Sequence, residues 1–298
     1  MDNFLSFKGV GTAIITPFND DNDKSINYVK LKELIEFQIR SNVDSIVVCG
    51  TTGESSTLTL QEKKALIDFT VKTVGKRCFV IAGTGSNYTK YATELSVYAE
   101  SVGCDGILVV TPYYNKCNQE GLYLHYKEIA DNINIPIILY NVPTRTCVNL
   151  EPKTVIKLSK INNIIGLKQA NSDLSQTIEI LNNVDSNFYI YSGNDDLTLP
   201  ILSLGGMGVI SVMSNFLPKQ MKLLTDSFFN NDLETAKITQ LKYYDLMKAL
   251  FKDINPIPVK ECMNILEFNV GKTRLPLCDT NENNKEYFKD LLKMYNLI

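Results

Sequence analysis

Eight short apolar runs alternate with longer amphipathic segments, and this order restricts the possible fold more than any other feature of the chain. The runs are residues 10–16, 45–49, 78–82, 106–110, 136–140, 164–168, 188–192 and 208–212. Because their hydrophobicity is continuous rather than alternating, we expect strands that are buried on both faces of a parallel sheet. The segments between them place apolar residues three and four positions apart, which predicts helices at residues 28–40, 60–74, 89–101 and 120–132.

Eight strand-then-helix units before residue 230 predict a (β/α)8 barrel, the TIM-barrel fold, whose usual size is about 250 residues. An open, doubly wound sheet is the alternative. Such a sheet usually has fewer strands, and no G-x-G-x-x-G pattern of a dinucleotide-binding fold follows the first predicted strand. After residue 230 the apolar runs stop, and residues 233–252, 258–268 and 285–297 are expected to be helices. The predicted organisation is a catalytic barrel over residues 1–230 and a C-terminal helical region over residues 231–298.

Charge and cysteine usage argue against several classes of protein. A net charge of −3 without a basic stripe disfavours a nucleic-acid-binding surface. No apolar run approaches the roughly 18–20 residues that would span a bilayer. The seven cysteines show no C-x-x-C spacing and the chain has a single histidine, so we expect no metal site. An odd number of cysteines without a recognisable export signal favours reduced thiols and a cytoplasmic location. His125 lies in a helical segment and is expected to be structural.

Lys168 is the strongest candidate for chemistry, because it ends an apolar run that is expected to be a buried strand. Lysine is almost never fully buried without a partner. An apolar environment disfavours the ammonium form, and the neutral amine that results is a nucleophile able to form a Schiff base with a carbonyl substrate. Taken alone, the run leaves open a surface lysine just beyond a strand end, or a lysine paired with a carboxylate.

The ends of other predicted strands carry polar residues that would meet Lys168 at one mouth, because catalytic groups of such barrels lie at the carboxyl ends of the strands. Strand two is followed by hydroxyl groups and backbone amides suited to a carboxylate, and strands four, five and seven by aromatic, basic and amide groups. These residues are Thr51, Thr52 and Glu54 after strand two, Tyr113 and Tyr114 after strand four, Tyr140 and Arg145 at strand five, and Gly193 and Asp195 after strand seven. In contrast, Gly205-Gly206-Met207-Gly208 precedes strand eight, and we interpret it as a tight turn at the opposite end.

With these residues identified, the chain closely resembles the dihydrodipicolinate synthase family of pyruvate-dependent, Schiff-base-forming aldolases. The resemblance runs from about Gly9 to the C-terminal helices. The matching motifs, in order, are Gly50-Thr51-Thr52-Gly53-Glu54, Tyr140-Asn141-Val142-Pro143-Thr144-Arg145, Gly166-Leu167-Lys168 and Asn255-Pro256-Ile257-Pro258-Val259-Lys260. The first and third are shared by much of the superfamily, whereas the second and fourth are more particular to the synthases.

The resemblance implies a lyase of the diaminopimelate and lysine biosynthesis pathway. Lys168 would form an imine with pyruvate, and the enamine derived from it would attack the aldehyde of L-aspartate 4-semialdehyde to give 4-hydroxy-tetrahydrodipicolinate. The family moves protons through two tyrosines joined by a threonine, which correspond here to Tyr140, Thr51 and Tyr114. Because the residue matching Tyr114 enters the neighbouring subunit's site, a dimer is the implied minimum unit, and a dimer of dimers is the usual assembly.

The resemblance also implies how the substrates are held. Thr51 and Thr52 would hold the pyruvate carboxylate, and the planar guanidinium of Arg145 would hold the carboxylate of the semialdehyde. Gly193 and the backbone at Ile210 match positions that line the pyruvate pocket. No metal or organic cofactor is implied, because the lysine itself acts as the electron sink.

A second family property, inhibition by L-lysine in the dimer cleft, is expected to be weak or absent. Four matching positions are compatible with that site: Ser55, Leu58, Asn87 and Tyr113. Three others depart from it, because Leu60, Lys63 and Tyr91 stand where sensitive enzymes tend to have histidines and a glutamate. The ammonium of an effector would lose its anionic partner and gain a like charge, which is unfavourable in a partly buried cleft.

Three alternative functions compete with this one. N-acetylneuraminate lyase and 2-keto-3-deoxy-sugar-acid aldolases share Lys168, Tyr140 and the glycine-rich loop, but a cation matched to an amino-acid carboxylate, Arg145, favours the synthase. A catalytically inactive barrel with a binding role would be expected to lack one of these three residues. A pyridoxal-phosphate enzyme also uses a lysine imine, but the loops after strands seven and eight show no clear phosphate-binding pattern.

Overall fold

The computed structural model describes residues 7–298, in which eight parallel strands close into a barrel. Each strand pairs with the next along the chain, and β8 pairs with β1. The strands are β1 Gly9–Ala13, β2 Ser45–Val48, β3 Phe79–Gly83, β4 Gly106–Val110, β5 Ile137–Asn141, β6 Ile164–Gln169, β7 Tyr189–Ser192 and β8 Gly208–Ser211. The predicted (β/α)8 barrel is therefore confirmed.

Helices follow the strands and cover the outside of the barrel, with further helices at the C-terminal end. They are α1 Tyr28–Arg40, α2 Leu60–Val74, α3 Thr89–Ser101, α4 Gln119–Asp131, α5 Pro143–Thr146, α6 Pro152–Leu158, α7 Leu174–Leu181, α8 Thr198–Ser203, α9 Pro218–Phe229, α10 Leu233–Lys242, α11 Tyr244–Ala249, α12 Ile257–Ile265 and α13 Glu282–Met294. None of the helices within residues 7–298 is both long enough and apolar enough to cross a membrane.

Several sequence-based boundaries were wrong: the helices predicted over residues 258–268 and 285–297 span Ile257–Ile265 and Glu282–Met294, and two further differences have a clear structural origin. Residues 233–252 do not form one helix, because Tyr243 (φ −99°, ψ 7°) leaves helical geometry between α10 and α11. The first strand ends at Ala13 rather than at Thr16, since the backbone N–H of Ile15 donates to Asn215 Oδ1 (3.0 Å) instead of to a neighbouring strand. Apolar content alone did not reveal either change, because buried apolar residues continue beyond both breaks, such as Ile15 and Leu246.

The strands are buried on both faces, which explains their continuous hydrophobicity. Side chains such as Val47, Ile81 and Leu108 fill the inside of the barrel, whereas Ile46 and Val48 belong to the larger core between the sheet and the helices. Together the two layers remove the strands from water, and burial of this kind contributes about 25 cal/mol per Å² of apolar surface.

The amino end of the barrel is closed by aromatic packing. The rings of Phe7 and Tyr191 stack with centroids 4.4 Å apart, and the Tyr191 hydroxyl donates to the backbone carbonyl of Phe7 (3.1 Å). Residues 205–208, which resemble a phosphate loop in sequence, lie at this same end, because the backbone N–H of Gly9 donates to Met207 O (2.9 Å). The opposite, carboxyl end remains available for a site.

The start of α2 is fixed by the capping box that the sequence predicts. Thr59 Oγ1 accepts from the N–H of Glu62 (3.2 Å), and Glu62 Oε2 accepts from the N–H of Thr59 (2.8 Å). Glu62 also forms an ion pair with Arg274 (2.7 Å), a residue of the C-terminal region. The capping box and the ion pair together fix the start of α2, and so the end of the loop after β2. Several candidate site residues lie in that loop.

Candidate active site

Lys168 and Tyr140 are neighbours across the β5–β6 pair at the carboxyl end of the barrel. The two residues are register partners, and Lys168 Nζ lies 4.4 Å from the centroid of the Tyr140 ring. Lys168 is 5% exposed, which excludes the surface lysine that the sequence left open. Among residues 7–298, no carboxylate oxygen lies within 4 Å of its amine, so the alternative of a direct ion pair is also excluded. The amine faces an aromatic ring, whose π-face interacts favourably with a cation.

Asp195 is the acidic group whose charge interacts with Lys168 at longer range. Its Oδ2 accepts from the backbone N–H groups of Val212 (3.0 Å) and Met213 (2.9 Å), just beyond β8. Burial raises the pKa of this carboxyl, whereas its hydrogen bonds and the positive charge of Lys168 act in the opposite direction. Sequence reasoning placed Asp195 at the mouth but gave it no role. In the structure it ties the loop after β7 to the end of β8.

Gly193 allows the ends of β6 and β7 to approach closely. A Cβ atom at this position would lie 2.6 Å from the Cβ of Ala170, a distance that would push the two chain segments apart. The neighbouring strand β8 carries Ile210, whose side chain is fully buried inside the barrel. Neither residue is part of the cavity wall, so a role in holding pyruvate stays a prediction for both.

The loop after β2 is a tight turn that is held by a buried ion pair. Glu54, in a left-handed conformation (φ +56°), lies 2.6 Å from the amine of Lys260 on α12, and both side chains are almost completely buried. The second carboxylate oxygen of Glu54 accepts from the N–H of Arg274 (2.9 Å). Burial lowers the pKa of Lys260 to about 8 in spite of the opposing effect of Glu54. Removing either partner would leave the other as an unpaired buried charge, which is strongly destabilising.

Asn255 connects two of the candidate binding residues. Its Nδ2 donates to Thr52 Oγ1 (3.0 Å), and its backbone carbonyl accepts from Arg145 Nη2 (3.2 Å). Asn255 and Thr52 are both buried, whereas Arg145 is exposed at the mouth. The sequence identified Asn255 as part of a motif but assigned it no role. Because these three residues lie far apart in the chain, no local pattern signals their contact.

A cavity of about 270 Å³ opens at the carboxyl ends of the strands. The candidate residues in its wall are Thr51, Tyr140, Arg145 and Tyr113, and the remaining wall comes from Cys49, Gly50, Ser55, Ser56, Gly83, Gly85, Leu108, Val110, Val142 and Thr146. Lys168, Thr52, Gly193 and Ile210 lie outside this wall and are buried. The structure therefore places the proposed nucleophile beside the wall residue Tyr140, rather than in the open part of the cavity.

Tyr114 is separate from the cavity of its own chain. It is 89% exposed and adopts a left-handed conformation (φ +71°), which is uncommon for a bulky residue. The same loop is held by Asn115, whose side chain donates to the carbonyl of Asn87 (2.9 Å). Within a single chain, then, Tyr114 does not join Tyr140 and Thr51.

His125 is a residue of α4 that faces the start of α3, and it is not part of the cavity wall. Its Nδ1 is 3.0 Å from Thr89 Oγ1, and its ring packs edge-on against Tyr126. Burial lowers the pKa of His125 to about 4. Residues 7–298 contain no group of three or more His, Cys, Asp or Glu side chains arranged to hold a metal ion.

Comparisons with known proteins agree in both sequence and fold. Residues 6–295 match the model of the dihydrodipicolinate synthetase family. The 4-hydroxy-tetrahydrodipicolinate synthase of Acetivibrio thermocellus is 54% identical over 292 residues, which is 98% of each chain. The crystal structure of dihydrodipicolinate synthase from Aquifex aeolicus matches with a TM-score of 0.95 at 43% identity, covering 98% of this chain and 99% of that one.

A third comparison concerns assembly. A structure described as the first monomeric dihydrodipicolinate synthase variant matches with a TM-score of 0.94 at 41% identity and covers 98% of both chains. The same fold is therefore compatible with a single-chain state in at least one similar protein.

Proposed function

Because the chain belongs to the dihydrodipicolinate synthetase family, we infer that it is a lyase that condenses pyruvate with L-aspartate 4-semialdehyde to give 4-hydroxy-tetrahydrodipicolinate. This reaction belongs to diaminopimelate and lysine biosynthesis, which favours a cytoplasmic location. The observation that carries the inference is the burial of Lys168 beside Tyr140 at the carboxyl end of β6, without a carboxylate partner among residues 7–298. A lysine in this setting suits nucleophilic catalysis.

The first half of the reaction builds the nucleophile. Lys168 Nζ attacks the keto carbon of pyruvate, and the resulting carbinolamine loses water to leave an imine. A proton then leaves the methyl carbon, and the electron pair moves into the enamine. Tyr140, whose ring contacts the amine and whose side chain lines the cavity, is the group placed to transfer these protons. Thr51, in the same wall, and Tyr114 complete the proposed relay.

The second half forms the ring. The enamine carbon attacks the aldehyde carbon of the semialdehyde, and the aldehyde oxygen takes up a proton to become the hydroxyl group. The amino group of that substrate then attacks the imine carbon, closes the ring and displaces the amine of Lys168, so that one water is released overall. We propose that Thr52 holds the pyruvate carboxylate, that Gly193 and Ile210 shape the pyruvate pocket, and that the exposed guanidinium of Arg145 holds the second carboxylate.

Reduction of the imine tests the covalent step. Borohydride added with pyruvate is expected to leave Lys168 carrying the mass of pyruvic acid less one oxygen atom, as measured by peptide mass mapping. The K168R variant is a control, because a guanidinium stays protonated and forms no imine. Modification of another lysine, or none in the active wild-type enzyme, would contradict the mechanism. Turnover of N-acetylneuraminate instead of the semialdehyde would favour the alternative aldolase function.

We also propose that the working unit is at least a dimer and that the enzyme assembles as a dimer of dimers. The exposure of Tyr114 supports this, because the side chain is free to enter a neighbouring subunit. In addition, we assign the reacting groups to the barrel of residues 1–230 and a positioning role to residues 231–298. Sedimentation at several protein concentrations would measure the assembly.

Subunit mixing tests the proposed sharing of Tyr114. The K168R and Y114F variants should each have low activity, but refolding a mixture should restore part of the wild-type rate. In a mixed dimer, one site combines an intact Lys168 with Tyr114 from the other subunit. Mixtures that stay as inactive as the separate variants, in dimers confirmed by mass, would show that Tyr114 does not serve a neighbour.

A further inference from the structure

We propose that Asn255 is a positioning residue that directs the hydroxyl hydrogen of Thr52 towards the pyruvate carboxylate. The proposal rests on the function inferred above, and it concerns a residue that does not itself touch the reacting atoms. It is carried by the contact between Asn255 Nδ2 and Thr52 Oγ1 (3.0 Å), both belonging to buried side chains.

The direction of this hydrogen bond carries the argument. A threonine hydroxyl has one hydrogen to donate and two lone pairs that accept. When Nδ2 of Asn255 donates into a lone pair of Thr52, the hydroxyl hydrogen remains available for another acceptor. A carboxylate can only accept hydrogen bonds, so a Thr52 hydroxyl that is free to donate is suited to the carboxylate of pyruvate. A chain of hydrogen bonds also polarises its members, which strengthens the donor at the end.

Because this contact is buried, water cannot readily replace the Asn255 amide as the donor to Thr52. Asn255 is 5% exposed and Thr52 3% exposed, so water has little access to take the place of the amide. Oδ1 of Asn255 is also buried, and it has no hydrogen-bond partner within residues 7–298. An unpaired buried acceptor is costly. Its presence indicates that the amide is retained for what its nitrogen does, which is to donate to Thr52.

The contact with Arg145 uses a different part of Asn255. Arg145 Nη2 donates to the backbone carbonyl (3.2 Å), which every residue at this position would retain. Side-chain substitution should therefore disturb the pyruvate subsite while sparing the subsite of the semialdehyde. A general loss of structure would disturb both, so the comparison between the two substrates separates positioning from simple stability.

The decisive variant is N255D. An aspartate has the same shape but only accepts, so it would draw the hydroxyl hydrogen of Thr52 to itself and place a negative charge near the pyruvate carboxylate. We expect the pyruvate concentration for half-maximal borohydride trapping at Lys168 to rise about tenfold or more. The KM for the semialdehyde, measured at saturating pyruvate, should change less than about threefold. If N255D folds poorly, N255A is the substitute variant, because it removes the amide without adding a charge. It should also raise the pyruvate requirement more than the KM for the semialdehyde.

N264D is the matched control. Asn264 on α12 donates to the carbonyl of Gly271 (3.1 Å) and accepts from the N–H of Val270 (2.8 Å), outside the cavity wall. The same Asn-to-Asp change should lower the melting temperature while leaving half-maximal trapping and both KM values close to wild type. If N264D raises the pyruvate requirement as N255D does, the effect is structural and the proposal fails.

A double-mutant cycle with T52V gives an independent test. If Asn255 acts through the Thr52 hydroxyl, N255A should add little to the pyruvate requirement of T52V. Additive effects, or unchanged trapping in N255D, would overturn the proposal; the latter would indicate that the amide oxygen faces Thr52. These outcomes differ from failure of the proposed function, in which the wild-type enzyme itself would show no pyruvate adduct on Lys168.

Discussion

Lys168 Nζ lies 4.4 Å from the centre of the Tyr140 ring because the two residues are register partners on adjacent parallel strands. Pairing of the two strands fixes the separation of their backbones, and the lysine side chain places its amine against the ring. The amine thus meets a π-face on one side, and the tyrosine reaches the cavity wall on the other. Tyr140 is therefore the residue that connects the buried amine of Lys168 to the cavity.

The first prediction separates the ring of Tyr140 from its hydroxyl. Y140F keeps the contact with Lys168 but removes the group that transfers protons, so kcat should fall by about 10²- to 10⁴-fold. Pyruvate should still be trapped on Lys168, but more slowly, as followed by quenching with borohydride at timed intervals. Y126F is the control, because the buried Tyr126 hydroxyl donates to the carbonyl of Val109 (3.2 Å) outside the cavity. A kcat within threefold of wild type in Y140F would exclude the proton-transfer role.

The second prediction concerns Arg145. R145K keeps a positive charge but loses the planar fork that binds a carboxylate through two bonds. The KM for the semialdehyde should rise by about 10- to 100-fold with a smaller change for pyruvate, as measured by steady-state kinetics with each substrate varied. R77K makes the same change in a pair that is far from the cavity, where Arg77 contacts both oxygens of Glu36 (2.8 and 2.6 Å). An equal rise for both substrates in R145K would show that the guanidinium does not select the second one.

The third prediction is a dependence of stability on pH that arises from His125. Burial lowers the pKa of this histidine from 6.5 to about 4 in the folded chain, so the unfolded chain binds the proton more readily. The neutral, buried imidazole therefore contributes its full stability above pH 6.5, and this stability is lost as the pH falls towards 4. At pH 5 the loss in the free energy of unfolding is about 2 kcal/mol. Denaturant unfolding at pH 8 and pH 5 measures this difference.

The H125N variant should reduce that difference, because asparagine can replace the contact to Thr89 without taking up a proton. Its stability at pH 8 can be lower than that of the wild type, since the imidazole also packs against Tyr126. The informative quantity is the change between the two pH values. If wild type and H125N lose equal stability between pH 8 and pH 5, then other groups account for the acid sensitivity.

The fourth prediction is weak or absent inhibition by L-lysine. Lys63 is buried with its amine 5.2 Å from the centre of the Tyr91 ring, and burial lowers its pKa. An effector ammonium would meet a second amine at this place, instead of the carboxylate and imidazole groups expected of a lysine-sensitive enzyme. Initial rates in low-millimolar L-lysine should stay close to those without it, with L-ornithine as a charge-matched comparison. Loss of most activity would overturn the prediction.

Much of the site could be predicted from the sequence, because its main residues stand at the ends of recognisable strands. The apolar run that ends at Lys168 and the run before Tyr140 both have the character of doubly buried parallel strands, so their carboxyl ends had to meet at one mouth. The hydrophobic pattern could not predict that Tyr140 and Lys168 are register partners, since register depends on how the barrel closes. The hydrophobic pattern could not predict the exposure of Tyr114 either, because a loop conformation has no periodic sequence signal.

The sequence by itself determined the eight-stranded barrel and the end of it at which the candidate residues meet, because these follow from local hydrophobicity and from the order of strands along the chain. Only the tertiary structure decided what holds that mouth in place. The contacts of Asn255 with Thr52, 203 residues away, and of Lys260 with Glu54 join the C-terminal helices to the loop after β2. Contacts between residues so far apart in the chain form only once the barrel has closed and the C-terminal region has packed against it. The residues next to each partner in the sequence therefore carry no signal of the contact.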